Sequence, residues 1–122
     1  MGMIDSITLT LVSRALDAAS MRHAAHAQNI ANANVDGARR VQVSFEDQMD
    51  AVRTSLLAGQ PVNPGDVPTA RVVQATDQDG ARIQLDGEVA ALSRNALHYQ
   101  ALVRALGRHI SMLSLAVNDG RR

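Results

Sequence analysis

Three histidines are the residues of this chain whose type and spacing could perform chemistry. His23 and His26 lie one helical turn apart if their segment is helical. If the two chain ends pair antiparallel, with Ile4 opposite Val117, then His98 lies near His23. Three imidazoles could then bind zinc. However, no acidic residue stands at helical spacing beside the pair, and the chain has only two glutamates. Since histidines on a partly exposed helix face are usually spacers, we expect no metal, no cofactor and no catalytic residue.

The elements that would position these histidines are two long heptad segments, one at each end of the chain. In the C-terminal segment, apolar residues recur at alternating steps of four and three, the spacing of a coiled-coil seam. They are Leu85, Val89, Leu92, Ala96, Tyr99, Val103, Leu106, Ile110, Leu113 and Val117. A helix over this span would be roughly 50 Å long. Asp86 and Glu88 suit the positive N-terminal end of such a helix.

The N-terminal segment carries two apolar rows with similar spacing. The first row comprises Leu9, Val12, Leu16, Ala19, His23, His26 and Ile30. The second row comprises Ile4, Ile7, Leu11, Ala15 and Ala18. A lone pair of helices buries one row on each helix, so we expect the second apolar stripe of each helix to meet other protein chains.

These patterns predict a mainly α protein, with long N- and C-terminal helices pairing as an antiparallel coiled coil. We expect the helices within residues 1–34 and 85–118, both belonging to one domain, and an irregular middle region at 35–84. Within that region we expect a strand at 41–43, a helix at 45–57 and a mobile loop at 59–68, which holds all three prolines. Residues 70–75 and 81–85 flank an Asp-Gly pair, which predicts a β-hairpin.

Composition restricts the classes of function. The 122 residues have a formal net charge of zero, no cysteine and no tryptophan. The dispersed arginines therefore predict no nucleic-acid binding, and disulfide and thiol chemistry are excluded. No apolar run is long enough to span a membrane, and the N-terminus lacks the pattern of a cleavable signal. Two terminal helices around a short middle region favour assembly over catalysis, with no small-molecule substrate.

Three motifs follow one another along the chain. The first is the run Asn29-Ile30-Ala31-Asn32-Ala33-Asn34, followed by the turn residue Gly37. The second is Val43-Ser44-Phe45-Glu46-Asp47-Gln48-Met49. The third runs through residues 85–102 and continues in Leu106 and Ser111-Met112-Leu113. With these motifs the chain resembles the FlgB family, the proximal rod proteins of the bacterial flagellar basal body. That family usually continues the first motif with Thr-Pro-Gly-Tyr, where this chain has Val35-Asp36-Gly37-Ala38, so the proline and the aromatic residue are lost.

The resemblance implies a structural subunit of the periplasmic rod, exported by the flagellar type III system without signal cleavage. The implied partners are other copies of the chain, neighbouring rod proteins, the rod-base adaptor protein and the export gate. The implied assembly signature is Asn29, Ile30, Ala31, Asn32, Ala33, Asn34 and Gly37. The predicted coiled-coil seam includes Leu9, Val12, Leu16, Leu92, Tyr99, Val103, Leu106, Ile110 and Leu113.

Phe45 and Met49 match the Phe-x-x-x-hydrophobic element that an export gate reads in early flagellar substrates. The alternative for Phe45 is that it packs the middle segment against the helices, and the two roles are compatible. The sequence leaves other functions open. They are another flagellar rod or hook protein, a non-flagellar coiled-coil regulator or export chaperone, and the histidine metal site described above.

Overall fold

Two long helices, one at each end of the chain, form most of the fold. The computed structural model describes residues 2–78 and 80–120, with side chains from Ser6 onward. The elements in chain order are α1 (Gly2–Ala31), β1 (Val41–Ser44), α2 (Glu46–Leu57), a 3-10 turn (Pro64–Asp66), β2 (Arg71–Gln74) and α3 (Leu85–Gly120). The structure confirms a mainly helical fold with long terminal helices and a small antiparallel sheet in the middle. It also confirms the short strand near Val41 and the helix that follows it.

Helix α1 forms because residues 3–31 contain neither glycine nor proline and are rich in alanine, the strongest helix former. It ends where asparagines begin to alternate with alanine, since asparagine side chains favour turns over helix interiors. The Val35 N–H donates to the Asn32 carbonyl at 3.0 Å and closes a turn there. Gly37 then adopts a φ of 76°, which glycine tolerates without steric cost, and the chain turns toward β1.

Strand β1 pairs with β2 to form a two-stranded antiparallel sheet. Val41 lies opposite Gln74, and Ser44 lies opposite Arg71. Val41 is buried whereas all four residues of β2 are exposed, so β1 is the strand that faces the helices. The sheet therefore has β2 as its outer edge.

The predicted hairpin around Gly80 is wrong. Its two arms do not pair with each other, because the backbone of Arg40 lies between them. The Ala75 N–H donates to the Arg40 carbonyl, and the Arg40 N–H donates to the Ala81 carbonyl, both at 2.8 Å. Gly80 does have a positive φ of 79°, as a turn requires, whereas Asp79 lies outside the described residues. Residues 81–84 form no strand and lead directly into α3.

Two small hydrophobic clusters attach the middle region to α1. One consists of Ile7, Val52 and Val62, with Leu11 and Met49 packed against it. The other consists of Ala18, Phe45 and Ala70, with Ala15, Met21, Val43 and Met49 packed against it. The second apolar row of α1 thus packs against the chain's own middle region, and contact of the second stripe of each helix with other chains stays a prediction. The side chain of Ile4, which belongs to the same row, lies outside the described side chains.

The proline-containing loop contributes to this core. Val62 and Val67 are buried, one on each side of the 3-10 turn. The Asp66 carboxylate accepts a hydrogen bond from the Asn63 N–H at 3.3 Å and stabilises the turn. The mobility expected for this loop stays a prediction that amide exchange can test.

Helix α3 packs against α1 with the opposite chain direction. Asn95 contacts Ala19, whereas Glu88, one heptad earlier on α3, contacts His26, one heptad later on α1. Beyond Tyr99 most of α3 is exposed to solvent. Antiparallel helix contact is therefore present, and regular coiled-coil packing along the whole length stays a prediction. None of the helices in residues 2–78 and 80–120 combines the length and hydrophobicity that a membrane span requires.

Candidate functional site

The most heavily bonded side chain of the signature is that of Asn29, which is 1% exposed. Its Nδ2 donates to the Val41 carbonyl at 2.8 Å, and its Oδ1 accepts from the Val41 N–H at 2.8 Å. The side chain thus pairs with one strand residue as a neighbouring strand would. Nδ2 also donates to Glu88 Oε2 at 3.1 Å, so Asn29 joins α1, β1 and α3 at one point.

Glu88 is the second member of this buried group. Its side chain is 7% exposed, and Oε2 lies 2.7 Å from His26 Nδ1 as well as near the Asn29 amide. An ionised carboxylate only accepts hydrogen bonds, so His26 Nδ1 carries the proton in this contact. Burial of a carboxylate without such partners would be costly, and here two donors from α1 satisfy it. We call Asn29, Glu88 and His26, with the backbone of Val41, the polar node.

A second polar contact fixes the relative position of the two long helices. The buried Asn95 side chain donates through Nδ2 to the Ala19 carbonyl at 2.7 Å. The register considered for the zinc site, with Ile4 opposite Val117, would place Leu102 opposite Ala19, so the structure differs from it by one heptad. A shift of seven residues returns a heptad helix to the same face, hence apolar spacing alone does not distinguish the two registers. Asn95 and the polar node distinguish them, because another register would leave these polar groups buried without partners.

Sequence reasoning missed the roles of Glu88 and Asn95. One feature of the sequence could have indicated these roles. Glu88 and Asn95 stand seven residues apart, and each lies one position before an apolar seam residue. Glu88 had an adequate explanation as an acidic residue in the first turn of α3, where it does lie. Glu88 is buried because α1 packs beside it, which the sequence of α3 alone does not show.

The predicted seam residues divide into two groups in the folded chain. Half-buried are Val12, Leu16, Leu92, Leu106 and Leu113. Exposed are Leu9, Tyr99, Val103 and Ile110. The exposed members on α3 lie along one flank of the helix, beside its contact with α1. The seam assignment stays a prediction, since the single chain leaves about half of it uncovered.

A shallow, mainly apolar groove follows this flank where α1 and α3 meet. It is lined by Ala19, Ser20, His23, Asn95, Ala96, Tyr99 and Gln100. Small side chains on both helices, above all Ala19 and Ala96, create the space. The shape suits a hydrophobic side chain from another helix, as in knobs-into-holes packing.

The rest of the assembly signature lies at the surface end of α1. Ile30, Asn32 and Ala33 are half-buried, whereas Ala31, Asn34 and Gly37 are exposed. This segment, together with Arg82 and Ile83, lines a polar depression beside the start of α3. The signature thus combines one buried polar anchor with an accessible turn, and its role in assembly stays a prediction.

Phe45 and Met49 lie together beside α1. Phe45 is buried against Ala18 and Ala70, and Met49 is half-buried and contacts both hydrophobic clusters. The Met49 N–H donates to the Phe45 carbonyl at 3.0 Å. Arg22 of α1 forms an ion pair with Glu46, the residue between them that begins α2. Phe45 therefore packs the middle segment against α1, and an export gate could read it only before folding.

The histidines considered as zinc ligands are kept apart. His26 contacts Glu88, His23 is exposed and lines the groove, and His98 is exposed on α3. The one-heptad difference in register moves His98 away from the position opposite His23. Within residues 2–78 and 80–120, no group of three histidine, cysteine or acidic side chains is arranged to hold a metal ion.

The fold and the site define a mainly helical protein in which buried polar side chains hold two long terminal helices in register. The chain is similar to a protein of Borrelia hermsii named flagellar basal body rod protein FlgB. The two are 24% identical over 132 residues, an alignment that covers 93% of this chain and 98% of that protein. The similarity therefore includes both terminal helices and the middle region. No protein-family model and no solved structure matches the chain.

Proposed function

We propose that this chain is a structural, non-enzymatic subunit of the flagellar basal-body rod, which polymerises with copies of itself and with neighbouring rod proteins. The observation that carries the proposal is the uncovered apolar surface of α3. Its exposed large apolar residues are Leu85, Val89, Leu97, Tyr99, Val103, Ile110, Met112, Leu115 and Val117. Monomeric proteins rarely expose so extended an apolar surface, and packing between subunits would bury it. The full-length similarity to a rod protein supports the same assignment.

The finer steps of this proposal concern export and location. The chain would pass the flagellar type III export gate without signal cleavage, then join the periplasmic part of the rod next to the rod-base adaptor. A core made of two small clusters suits this route, because little packing has to be undone before passage. Contacts with other subunits would then offset the entropy cost of ordering α3.

Complementation of a strain that lacks the gene tests the proposal. One variant carries Val103→Asp and Ile110→Asp, which place two charges on the exposed flank of α3. The matched control carries His98→Asp and Ala105→Asp, two exposed changes on the same helix away from that flank. We expect the control to restore swimming and intact rods, and the flank variant to accumulate in cells without building rods. Normal rods and motility with the flank variant would contradict the proposal.

The export step is tested separately with Phe45→Ala. Truncating this buried ring also costs roughly 3–5 kcal/mol of stability, so a matched control for destabilisation is needed. Val52→Ala weakens the neighbouring cluster without touching the Phe-x-x-x-Met element. We expect Val52→Ala to be secreted and Phe45→Ala to remain in the cytoplasm. A new Phe-x-x-x-Leu element at residues 59–68 should then restore secretion. If Phe45→Ala is secreted normally, Phe45 serves packing alone.

A further inference from the structure

Charge is unevenly distributed along this formally neutral chain. Residues 1–88 hold eleven carboxylates and seven arginines, whereas residues 89–122 hold one carboxylate and five arginines. No acidic residue occurs between 89 and 118. The two parts therefore carry opposite net charges of equal size. Such separation within one molecule favours contact between the basic part of one copy and the acidic part of another.

The basic part has a defined outward face on α3. Leu97, Ala101, Arg104, Arg108 and Leu115 are all exposed and follow one another at steps of four, three, four and seven. They lie on the side of the helix opposite Asn95 and Leu102, which face α1. Among the described residues, neither Arg104 nor Arg108 has a carboxylate partner. We call these five residues the outer stripe of α3.

The acidic part has a matching outward face on α2. Asp47, Asp50, Thr54 and Leu57 are exposed at steps of three, four and three. They lie opposite Val52, which faces the core. Leu57 is 83% exposed, an unusual position for a leucine in a chain with so small a core. Within the part of the chain that the structure describes, Asp50 is paired only with Arg53, in an exposed contact of 3.5 Å that is easily exchanged. We call these four residues the outer stripe of α2.

We propose that the outer stripe of α3 in one copy of the chain binds the outer stripe of α2 in a second copy. Leu97 and Arg104 are seven residues apart, and so are Leu57 and Asp50. Both spacings correspond to about 10.5 Å along a helix. With the helices antiparallel, leucine meets leucine and arginine meets aspartate in a single register. Arg108 and Leu115 are also seven residues apart. With the helices parallel, Arg108 would meet Asp50 and Leu115 would meet Leu57.

This contact joins two different surfaces, so each copy retains one free stripe of each kind after binding. Contacts of this type produce rings or open filaments rather than closed dimers. The inference deepens the proposed function and rests on it, since it names the surfaces through which a rod subunit would meet its own copies. It uses a face of α3 distinct from the flank that contains Val103 and Ile110.

Charge reversal with rescue tests the inference, with sedimentation velocity of the purified chain at rising concentration as the measurement. One variant carries Arg104→Glu with Arg108→Glu, and another carries Asp47→Arg with Asp50→Arg. We expect each to raise the concentration needed for self-association at least about tenfold, because like charges then face each other. Combining all four changes in one chain, or mixing the two variants, should restore association.

A matched control reverses two exposed arginines away from both stripes, Arg71→Glu with Arg82→Glu, and should associate as the wild type does. High salt should weaken wild-type association, since exposed charges are screened. The inference is overturned if the wild-type chain stays monomeric at millimolar concentration. It is also overturned if the stripe variants associate normally, or if the four-change chain is not restored.

Cross-linking identifies the orientation, because the chain has no cysteine of its own. A Leu57→Cys chain is mixed with a Leu97→Cys chain or with a Leu115→Cys chain under mild oxidation. A disulfide with the first indicates antiparallel helices, and one with the second indicates parallel helices. No cross-link with either refutes the contact. If the interface is supported but a deletion strain swims normally, the proposed function fails while the interface stands.

Discussion

Replacing Asn29 with alanine tests whether the polar node holds the three elements together. The change removes the donor to the Val41 carbonyl, the acceptor for the Val41 N–H and the second donor to Glu88. Glu88 keeps its contact with His26. Val41 is itself buried, so its two backbone groups would lose these partners in a position largely shielded from water.

The expected loss follows from these two orphaned backbone groups. A buried donor or acceptor left without a partner costs about 1–3 kcal/mol, so Asn29→Ala should lower the free energy of unfolding by about 3 kcal/mol. Domains are typically stable by about 5–15 kcal/mol, which makes this a large fraction. For a chain of this size the melting temperature should fall by roughly 10 °C.

Two further variants sharpen the measurement. Asn29→Asp keeps an acceptor for the Val41 N–H but places a carboxylate beside Glu88, so its loss should exceed that of Asn29→Ala. Asn34→Ala changes an exposed asparagine of the same signature and should shift stability by less than about 0.5 kcal/mol. Urea and thermal unfolding followed by circular dichroism report all three values. The reasoning fails if Asn29→Ala is no more destabilising than Asn34→Ala.

Other expectations concern assembly, metal and local stability. Leu106→Asp places a charge at a half-buried position of the predicted seam, which packing between subunits would bury without a partner, so rods should be lost although the chain is still expressed; wild-type motility would contradict the seam. His23→Gln with His26→Gln should leave rods in place, because the amide of a glutamine at position 26 can still donate to Glu88. The wild-type chain should carry no stoichiometric metal by elemental analysis, and tight zinc binding lost in this variant would restore the metal hypothesis. Amide exchange in the isolated chain should be slower within residues 18–29 than within 107–118, where α3 is exposed, and uniform protection along α3 would count against this prediction.

Local sequence features account well for the helices and their ends. The apolar rows of residues 4–30 and the turn residues that follow Asn29 predicted a helix within residues 1–34, and α1 ends at Ala31. The alternation at Val41 and the helical spacing after Phe45 likewise predicted β1 and α2. These predictions succeed because helix formation and chain reversal depend mainly on residues that are neighbours in sequence.

Local sequence features did not predict which strands pair in the middle region. Residues 70–75 had two possible partners, one nearby across an Asp-Gly turn and one some thirty positions earlier in the chain. The turn signal favoured the near partner. In the structure β2 pairs with β1, because Asn29 and the cluster around Phe45 hold the β1 segment against α1. Strand pairing depends on what covers each strand, and the sequence of the strand alone does not contain that information.

The sequence by itself determined two long amphipathic helices, the turn after Asn29 and the apolar surplus of α3, because each follows from local spacing and composition. The tertiary structure alone decided which heptad of α3 faces Ala19 and where the second apolar row of α1 is buried. A heptad pattern looks the same after a shift of seven residues, so its apolar contacts are nearly equal in either register. Glu88 and Asn95 make their hydrogen bonds in only one of the two registers. In the other register these polar groups would be buried without partners, which costs far more free energy than moving an apolar residue by one heptad. The hydrogen bonds therefore decide the register.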